Sequence, residues 1–320
     1  MNKVLILFGG NSFEHEISCM SVNFIKDNID NNLFNYELVG IDFNNNWFIV
    51  DKYKTITNNW IHEEKEKIEN IINYLKSFDI VFPVIHGNTG EDGKLQSLFE
   101  LYDIKCVGCD SYSSLICYDK LLTKIILEKH NIPQVPYIVY NENLDINSVN
   151  YPVIVKPCKC GSSIGINVVN SNDELLNAID KAKKYDNNII IEKYLTTKRE
   201  LECAVLKTKD TLIISDIGEI MNNDNWYDFD SKYKTKTDTN ISNIDFDIKE
   251  QVQKYSKKIF DLLKCKDYSR LDFFYDIKEK RLYFNEINTI PGFTEISMYP
   301  KLIINSGIKP KELLTLLLSS

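Results

Sequence analysis

Two short runs near the C-terminus carry side chains able to hold a hard cation: SRLDFFYD at 269–276 and NEIN at 285–288. Alternate residues of a β-strand point to the same face. Read as paired strands, they put Arg270 and Asp272 on one face, with Leu271 and Phe273 on the other. On the partner run Glu286 and Asn288 share a face, and Asn285 and Ile287 the opposite one. Two carboxylates and an amide oxygen on adjacent strands make an all-oxygen set of the kind that suits Mg²⁺. The Arg270 guanidinium beside them is placed to stabilise a developing anion. The flanking residues are strongly apolar, so the sheet is expected to be buried, and buried carboxylates need a cation. The alternative is a solvated strand edge with structural ion pairs.

A second group is cationic. Lys156 ends the apolar run VIVK and precedes Pro157 and the loop Cys158-Lys159-Cys160-Gly161-Ser162-Ser163-Ile164-Gly165. Backbone N–H groups and hydroxyls of such a loop can cradle phosphate. It lacks G-K-[ST] and no helix follows it, so it is not a Walker A loop. Taken alone it reads equally well as a hairpin turn. Lys120 and Lys156 supply positive charge of the kind a triphosphate requires. Glu192-Lys193-Tyr194-Leu195 ends a strand and joins two halves of the chain; it can face an adenine edge or merely terminate the strand. Gly9-Gly10-Asn11-Ser12 leads a strand into a helix, with Ser12 the expected N-cap and Glu14 or Glu16 complementing the helix dipole. Spacing alone gives Glu14 a structural role. His86 stands at a strand's carboxyl end, where open α/β layers place ligands, although a lone histidine there is more often structural.

The elements that must position these groups are legible from periodicity. Residues 3–8 read as a buried strand, 12–29 as a helix, 36–41 and 47–51 as strands, and 79–85 as another strand. An amphipathic helix is expected over 61–76, and another over 119–130. Strands alternating with helices suggest a parallel α/β layer. Strands at 151–156, 166–169 and 188–192 then surround a helix at 173–183, and 201–207 pairs with 211–217 as a hairpin. Residues 221–243 are polar but carry Trp226, Tyr227, Phe229 and Tyr233, the composition of a functional lid rather than a disordered insertion. Ile248, Val252, Tyr255, Ile259 and Leu263 mark a core-facing helix. Strands at 270–276 and 281–287 form the last hairpin, followed by two helices.

At 320 residues the chain is long enough for two or three packed domains. Its net charge of -8 argues against a nucleic-acid or anionic-membrane binder, which needs a basic footprint. The apolar run after Met1 is too short for a signal-peptide core, and no stretch is apolar for the roughly 18 residues of a membrane span, so the expected location is the cytoplasm. The 8 cysteines are then expected to be reduced, and with only 4 histidines a zinc site is disfavoured.

Seven blocks, taken in order, resemble the D-alanine–D-alanine ligases of the ATP-grasp superfamily. They are GGNSFEHEIS, HGNTGEDGKLQ, VIVKPCKCGSSIG, IIIEKYL, YDFDSKYKTKT, SRLDFF and NEINTIPGFTEISMYPK, and they span nearly the whole chain. The resemblance implies an α/β fold of three domains: an N-terminal parallel layer at 1–110, then α+β subdomains at 111–188 and 189–320 that enclose ATP. It implies a two-step reaction, with an acylphosphate of one D-alanine attacked by the amine of a second. Carried over by residue, Glu14 would hold the first ammonium, with His86 beside it. Lys120, Lys156, Ser162 and Ser163 would bind phosphates; Glu192, Lys193, Tyr194 and Leu195 the adenine; Glu200 the ribose. Asp272, Glu286 and Asn288 would take two Mg²⁺ ions, a role Mn²⁺ can share. Arg270 and the Gly292 N–H would face the tetrahedral oxyanion, and Lys232, Tyr233, Ser297 and Met298 the second substrate. Glu14, Ser162 and Tyr233 would form the triad that closes the lid. Tyr194 stands where several members carry Trp, and 196–199 lengthen the linker before Glu200. Lys232-Tyr233 resembles the D-alanine enzymes, since relatives making D-alanyl-D-lactate replace that pair, and so does Met298, where D-serine-using relatives tend to carry Arg; D-serine is the alternative acceptor. An inactive nucleotide-binding module would be expected to lack the metal and acceptor residues; a Rossmann dehydrogenase would need G-x-G-x-x-G. A homodimer is common in the family.

Overall fold

The computed structural model describes residues 1–220, 239–241 and 244–319. Within them the chain forms three sheets, each backed by helices. The first unit comprises β1 (Asn2–Gly9), α1 (His15–Asn28), β2 (Phe34–Ile41), β3 (Trp47–Val50), β4 (Glu66–Lys67), α2 (Ile71–Leu75), β5 (Ile80–Pro83) and α3 (Lys94–Leu101). Its strand order is β4-β3-β2-β1-β5, with β1 parallel to both β2 and β5. A parallel strand covered on both faces has no polar side, hence the unbroken VLILF. Alternation sorts those side chains. Val4, Ile6 and Phe8 pack with Val22 and Ile25 of α1, whereas Leu5 and Leu7 pack with Leu95 and Phe99 of α3.

The helix expected over 61–76 does not form. Asn58–His62 make one 3₁₀ turn, Glu66–Lys67 pair with β3, and only Ile71–Leu75 is helical. The free edge of β3 competes successfully for this backbone, and the Ile68 N–H donates to Trp47 O at 2.9 Å. Asn70 then starts the short helix by accepting the Asn73 N–H. Ser12 is likewise not the cap of α1, which begins three residues later. Its hydroxyl accepts from the Glu14 N–H at 3.1 Å and donates to His86 O at 2.7 Å.

Two short helices follow, α4 (Ser111–Tyr118) and α5 (Lys120–Lys129); the side chain of Asp119 caps α5 by accepting from Leu121 and Leu122. The short helices α3 and α4 are additions to the elements expected from periodicity. The second sheet is antiparallel, ordered β6-β9-β7-β8, from β6 (Tyr137–Val139), β7 (Val153–Pro157), β8 (Asn167–Val169) and β9 (Ile189–Lys193). Helix α6 (Asn172–Ala182) covers one face, burying Leu175, Ala178 and Ile179 against Val153, Val155 and Ile191.

The third sheet, ordered β12-β11-β10-β13-β14, is also antiparallel. It comprises β10 (Lys198–Lys207), β11 (Leu212–Ile220), β12 (Thr239–Ile241), β13 (Tyr268–Asp276) and β14 (Arg281–Asn288). Helix α7 (Phe246–Leu262) buries Ile248, Val252 and Ile259 against Leu201, Val205 and Leu271. The helices α8 (Met298–Asn305) and α9 (Pro310–Ser319) turn back onto the first unit, sharing one apolar cluster with Ala204, Leu206 and the α1 side of β1. Phe82, Tyr268 and Phe293 meet edge to face there, centroids 5.9 to 6.2 Å apart. Each such pair contributes about 0.5–1.5 kcal/mol beyond its buried area. This packing holds the loop after β14 against the end of β5, and so fixes the floor of the site. No helix among the described residues is long and apolar enough to cross a membrane.

Candidate functional site

The second and third sheets face each other across a cleft. Lys120, Lys156, Ser162 and Ser163 line it from one side, and Glu200 and Glu286 from the other, with Tyr194 at the linker. Ile154, Ile166 and Phe274 add apolar walls, and Lys198 a further cation beside Glu200, at 3.0 Å. An anionic ligand with a flat apolar end suits such a lining. Lys120 on α5 donates to Cys160 O at 2.6 Å and lies 3.5 Å from Glu286. Ser162 and Ser163 both adopt positive φ, 53° and 60°, a costly backbone shape for non-glycine residues that clusters at functional loops.

The hairpin of β13 and β14 gathers the expected oxygen ligands. Asp272 pairs with Glu286, and Arg270 with Asn288. Arg270 grips both Asp272 oxygens, Nε to Oδ1 and Nη2 to Oδ2, each at 2.8 Å. Asn288 Nδ2 donates to Asp272 Oδ2 at 3.1 Å. One expectation fails here. A β-bulge follows Asp272, so that Phe273 pairs with Phe284 and Asn285 is the extra residue. Asn285 therefore lines the cleft with Glu286 instead of lying behind it with Ile287, and it accepts from Lys156 Nζ at 3.4 Å. The donor chemistry suits a hard divalent ion, since carboxylate and amide oxygens are the groups in reach. Among the described residues no three His, Cys, Asp or Glu side chains surround one point. An ion here would draw on Asp272 and Glu286 together with amide and phosphate oxygens, the usual way Mg²⁺ is held. Glu202 lies across from Asp272 on β10, with its carboxylate 3.1 Å from Arg270 Nε. Sequence reasoning passed over it, although the alternation in Glu200-Leu201-Glu202-Cys203 already puts Glu202 on the Glu200 face.

Two expected adenine residues sit deeper than the linker position suggests. Glu192 is buried between two ammonium groups, Lys124 at 2.7 Å and Lys156 at 2.5 Å. Burial alone would raise its carboxyl, but the two lysines outweigh it and hold it at about 2. Leu195 packs with Val135 and Tyr283. The Lys193 ammonium reaches outward to Glu279.

The first unit brings a second cluster to the same phosphate loop. Ser162 donates to Glu14 Oε1 at 2.5 Å across 148 residues of sequence. Added Cβ atoms at Gly87 and Gly161 would come within 2.8 and 3.1 Å of the Glu14 carboxylate, so both glycines make room for it. His86 bonds Ser21 through Nε2 at 2.9 Å and Ile290 O through Nδ1 at 2.8 Å. Burial pushes its imidazole pKa down, in spite of Glu14. Glu91, another residue that sequence reasoning passed over, accepts from Gly87 N at 2.8 Å and Ile290 N at 3.1 Å. It clamps the HGNTGEDG loop onto the loop carrying Gly292. Phe293 N–H donates to Ser21 Oγ at 3.1 Å, so both neighbours of the Pro291-Gly292 pair are tied to the first unit. Ser297 bonds Thr294 at 2.7 Å, and Met298 packs over Gly218 in the apolar cluster. Lys232, Tyr233 and the expected lid lie outside the described residues, apart from Thr239–Ile241, which pair with β11 as β12.

Burial, with the Glu14 charge beside it, pushes the Glu91 carboxyl up to about 8 from 4.5. Between these values the folded protein keeps a proton that the unfolded chain releases, so stability falls as pH rises. The Glu91 contribution is complete below about pH 4.5 and lost as pH climbs through about 8. Thermal melts of the parent and of Glu91→Gln should therefore diverge in slope over this window. A Tm difference that stays constant with pH would count against it.

Residues 3–109 match the family model described as the D-ala D-ala ligase N-terminus, and 126–319 the one described as its C-terminus. The chain belongs to the D-Ala–D-Ala ligase family. A D-alanine–D-alanine ligase of Ruminiclostridium cellulolyticum is 35% identical, over 99% of this chain and 94% of that one. The VanG D-Ala:D-Ser ligase of Enterococcus faecalis superposes with a TM-score of 0.87 at 32% identity, over 99% and 98% of the two chains. The D-alanine–D-alanine ligase of Bacillus anthracis, solved with ATP, gives 0.77 at 27% identity, over 100% and 97%. The three-sheet architecture is accordingly that of an ATP-grasp ligase.

Proposed function

We propose that this chain joins two D-alanine molecules into D-alanyl-D-alanine, with ATP converted to ADP and phosphate, as a cytoplasmic supplier of cell-wall peptidoglycan precursor. The observation that supports this reading is the Ser162–Glu14 bond, which joins the acid read as the ammonium acceptor to the loop read as the phosphate cradle. The reading divides the chain into domains at 1–110, 111–188 and 189–320, the last two enclosing ATP.

The roles are those the family resemblance implies, and charge and reach support them at the described residues. Glu14 receives the ammonium of the first D-alanine, with His86 beside it, so that its carboxylate points at the triphosphate. Lys120 and Lys156, with the Ser162-Ser163 loop, take the phosphates; the linker Glu192-Lys193-Tyr194-Leu195 takes the base through its backbone, with Tyr194 lining the cleft, and Glu200 takes the ribose. Asp272, Glu286 and Asn288 would hold Mg²⁺, which when bound offsets the charge of the transferring phosphoryl group. Carboxylate oxygen attacks the γ-phosphorus to give an acylphosphate and ADP. The amine of the second D-alanine attacks the acyl carbon. Arg270 and the Gly292 N–H stabilise the resulting oxyanion before phosphate departs. Lys232, Tyr233, Ser297 and the Met298 backbone are the groups that the resemblance assigns to the second substrate, and lid closure would keep water from the acylphosphate.

Purified protein given ATP and Mg²⁺ should release phosphate only when D-alanine is added, with the dipeptide as the product by mass spectrometry. Absence of D-alanine-dependent phosphate would overturn the reading. Mixtures with D-serine and D-lactate should still give mainly D-alanyl-D-alanine; a dominant D-alanyl-D-serine product would move the chain to the other acceptor class.

A further inference from the structure

Helix α5 presents Lys120 and Lys124 one turn apart, and the two do different things. Lys120 lines the cleft. Lys124 turns inward and is 2% exposed, with its ammonium on Glu192 Oε1 at 2.7 Å and over the Tyr137 ring at 5.0 Å. Glu192 is 3% exposed and uses its other oxygen on Lys156, which itself lines the cleft and touches Asn285. Two buried cations thus share one buried anion, and the cation in excess is the one facing the cleft.

We propose that Lys124 is the fixed counter-ion of Glu192, a positioning residue that lets Lys156 leave Glu192 for the phosphates of ATP. This rests on reading the cleft as the triphosphate site. If Glu192 had Lys156 as its one partner, drawing that ammonium toward a phosphate would strand a buried carboxylate, and the binding energy of the nucleotide would be spent against it. With Lys124 in place the carboxylate stays paired whichever way Lys156 points. The arrangement also explains why a lysine is buried here at all, since it never touches the cleft.

The test is calorimetric titration of the full-length protein with MgATP, alongside steady-state kinetics. Lys124→Met should weaken ATP binding about tenfold or more and raise the KM for ATP, with the KM for D-alanine unchanged; a merely structural loss would move both. Lys124→Arg should restore the affinity. In the Glu192→Gln background, where no buried anion remains, adding Lys124→Met should leave ATP affinity within about threefold. That second comparison decides the matter even if Lys124→Met alone fails to fold. Unchanged ATP affinity in Lys124→Met, or an equal loss in both backgrounds, would overturn the proposal. Parent protein that binds no ATP would instead overturn the reading of the cleft itself.

Discussion

Glu286→Gln is expected to fold as the parent does and to make almost no dipeptide. The side chain sits on β14 at the cleft, 21% exposed, and lies 3.5 Å from the Lys120 ammonium. The amide replaces it without a change in shape, so packing is preserved and the lost ion pair is partly solvated, a change usually within about 1 kcal/mol. What is lost is a unit of negative charge next to Asp272, on the face that would hold Mg²⁺. Metal stabilisation of a transferring phosphoryl group is worth several kcal/mol, so turnover should fall on the order of 10³-fold. ATP binding should also require more Mg²⁺ than in the parent. Retained turnover, with an unchanged Mg²⁺ dependence, would remove Glu286 from the metal site.

Arg270 is expected to show two separable effects. Its guanidinium makes paired bonds to Asp272 and also faces Glu202, all three side chains being largely buried. A lysine keeps the charge but cannot make the paired bonds or hold the same direction. Arg270→Lys should therefore lower kcat about 10²–10³-fold, the usual loss for one oxyanion donor, with only a modest change in unfolding midpoint. Arg270→Met should in addition cost about 3–5 kcal/mol in denaturant unfolding, because two buried carboxylates lose their shared cation. Parent-like kcat in the lysine variant would exclude Arg270 from the transition state. A parent-like midpoint in the methionine variant would show that Asp272 and Glu202 are solvated rather than held.

The family and the reaction class were legible through the order of seven sequence blocks, and the pairing of the acidic hairpin through local pattern. Alternation with period two puts Arg270 and Asp272 on one face whatever the rest of the chain does, and the flanking apolar residues announce a buried sheet. The Gly-Ser loop and the strand ends are similarly local. Pattern failed where a choice depended on a neighbour distant in sequence. Residues 61–76 have helical periodicity, but β3 offered an unpaired edge, and hydrogen bonds to it took the segment. Asn285 has the wrong parity for the cleft, and a single bulge opposite Asp272 turned it in.

The electrostatic design is the part that only the tertiary structure decided. Nothing local distinguishes Lys124 from the other lysines of its helix, or Glu91 from an exposed acid in a glycine-rich loop. Each acquires its role from desolvation and from one partner far along the chain, Glu192 for Lys124 and Ile290 for Glu91. Ser162 and Glu14 meet across 148 residues in the same way. Side-chain type and spacing determined what chemistry the chain can do. Burial and long-range contact decided which of its charges are held still and which remain free to meet a ligand, since the strength of a charge depends on the water that folding removes around it.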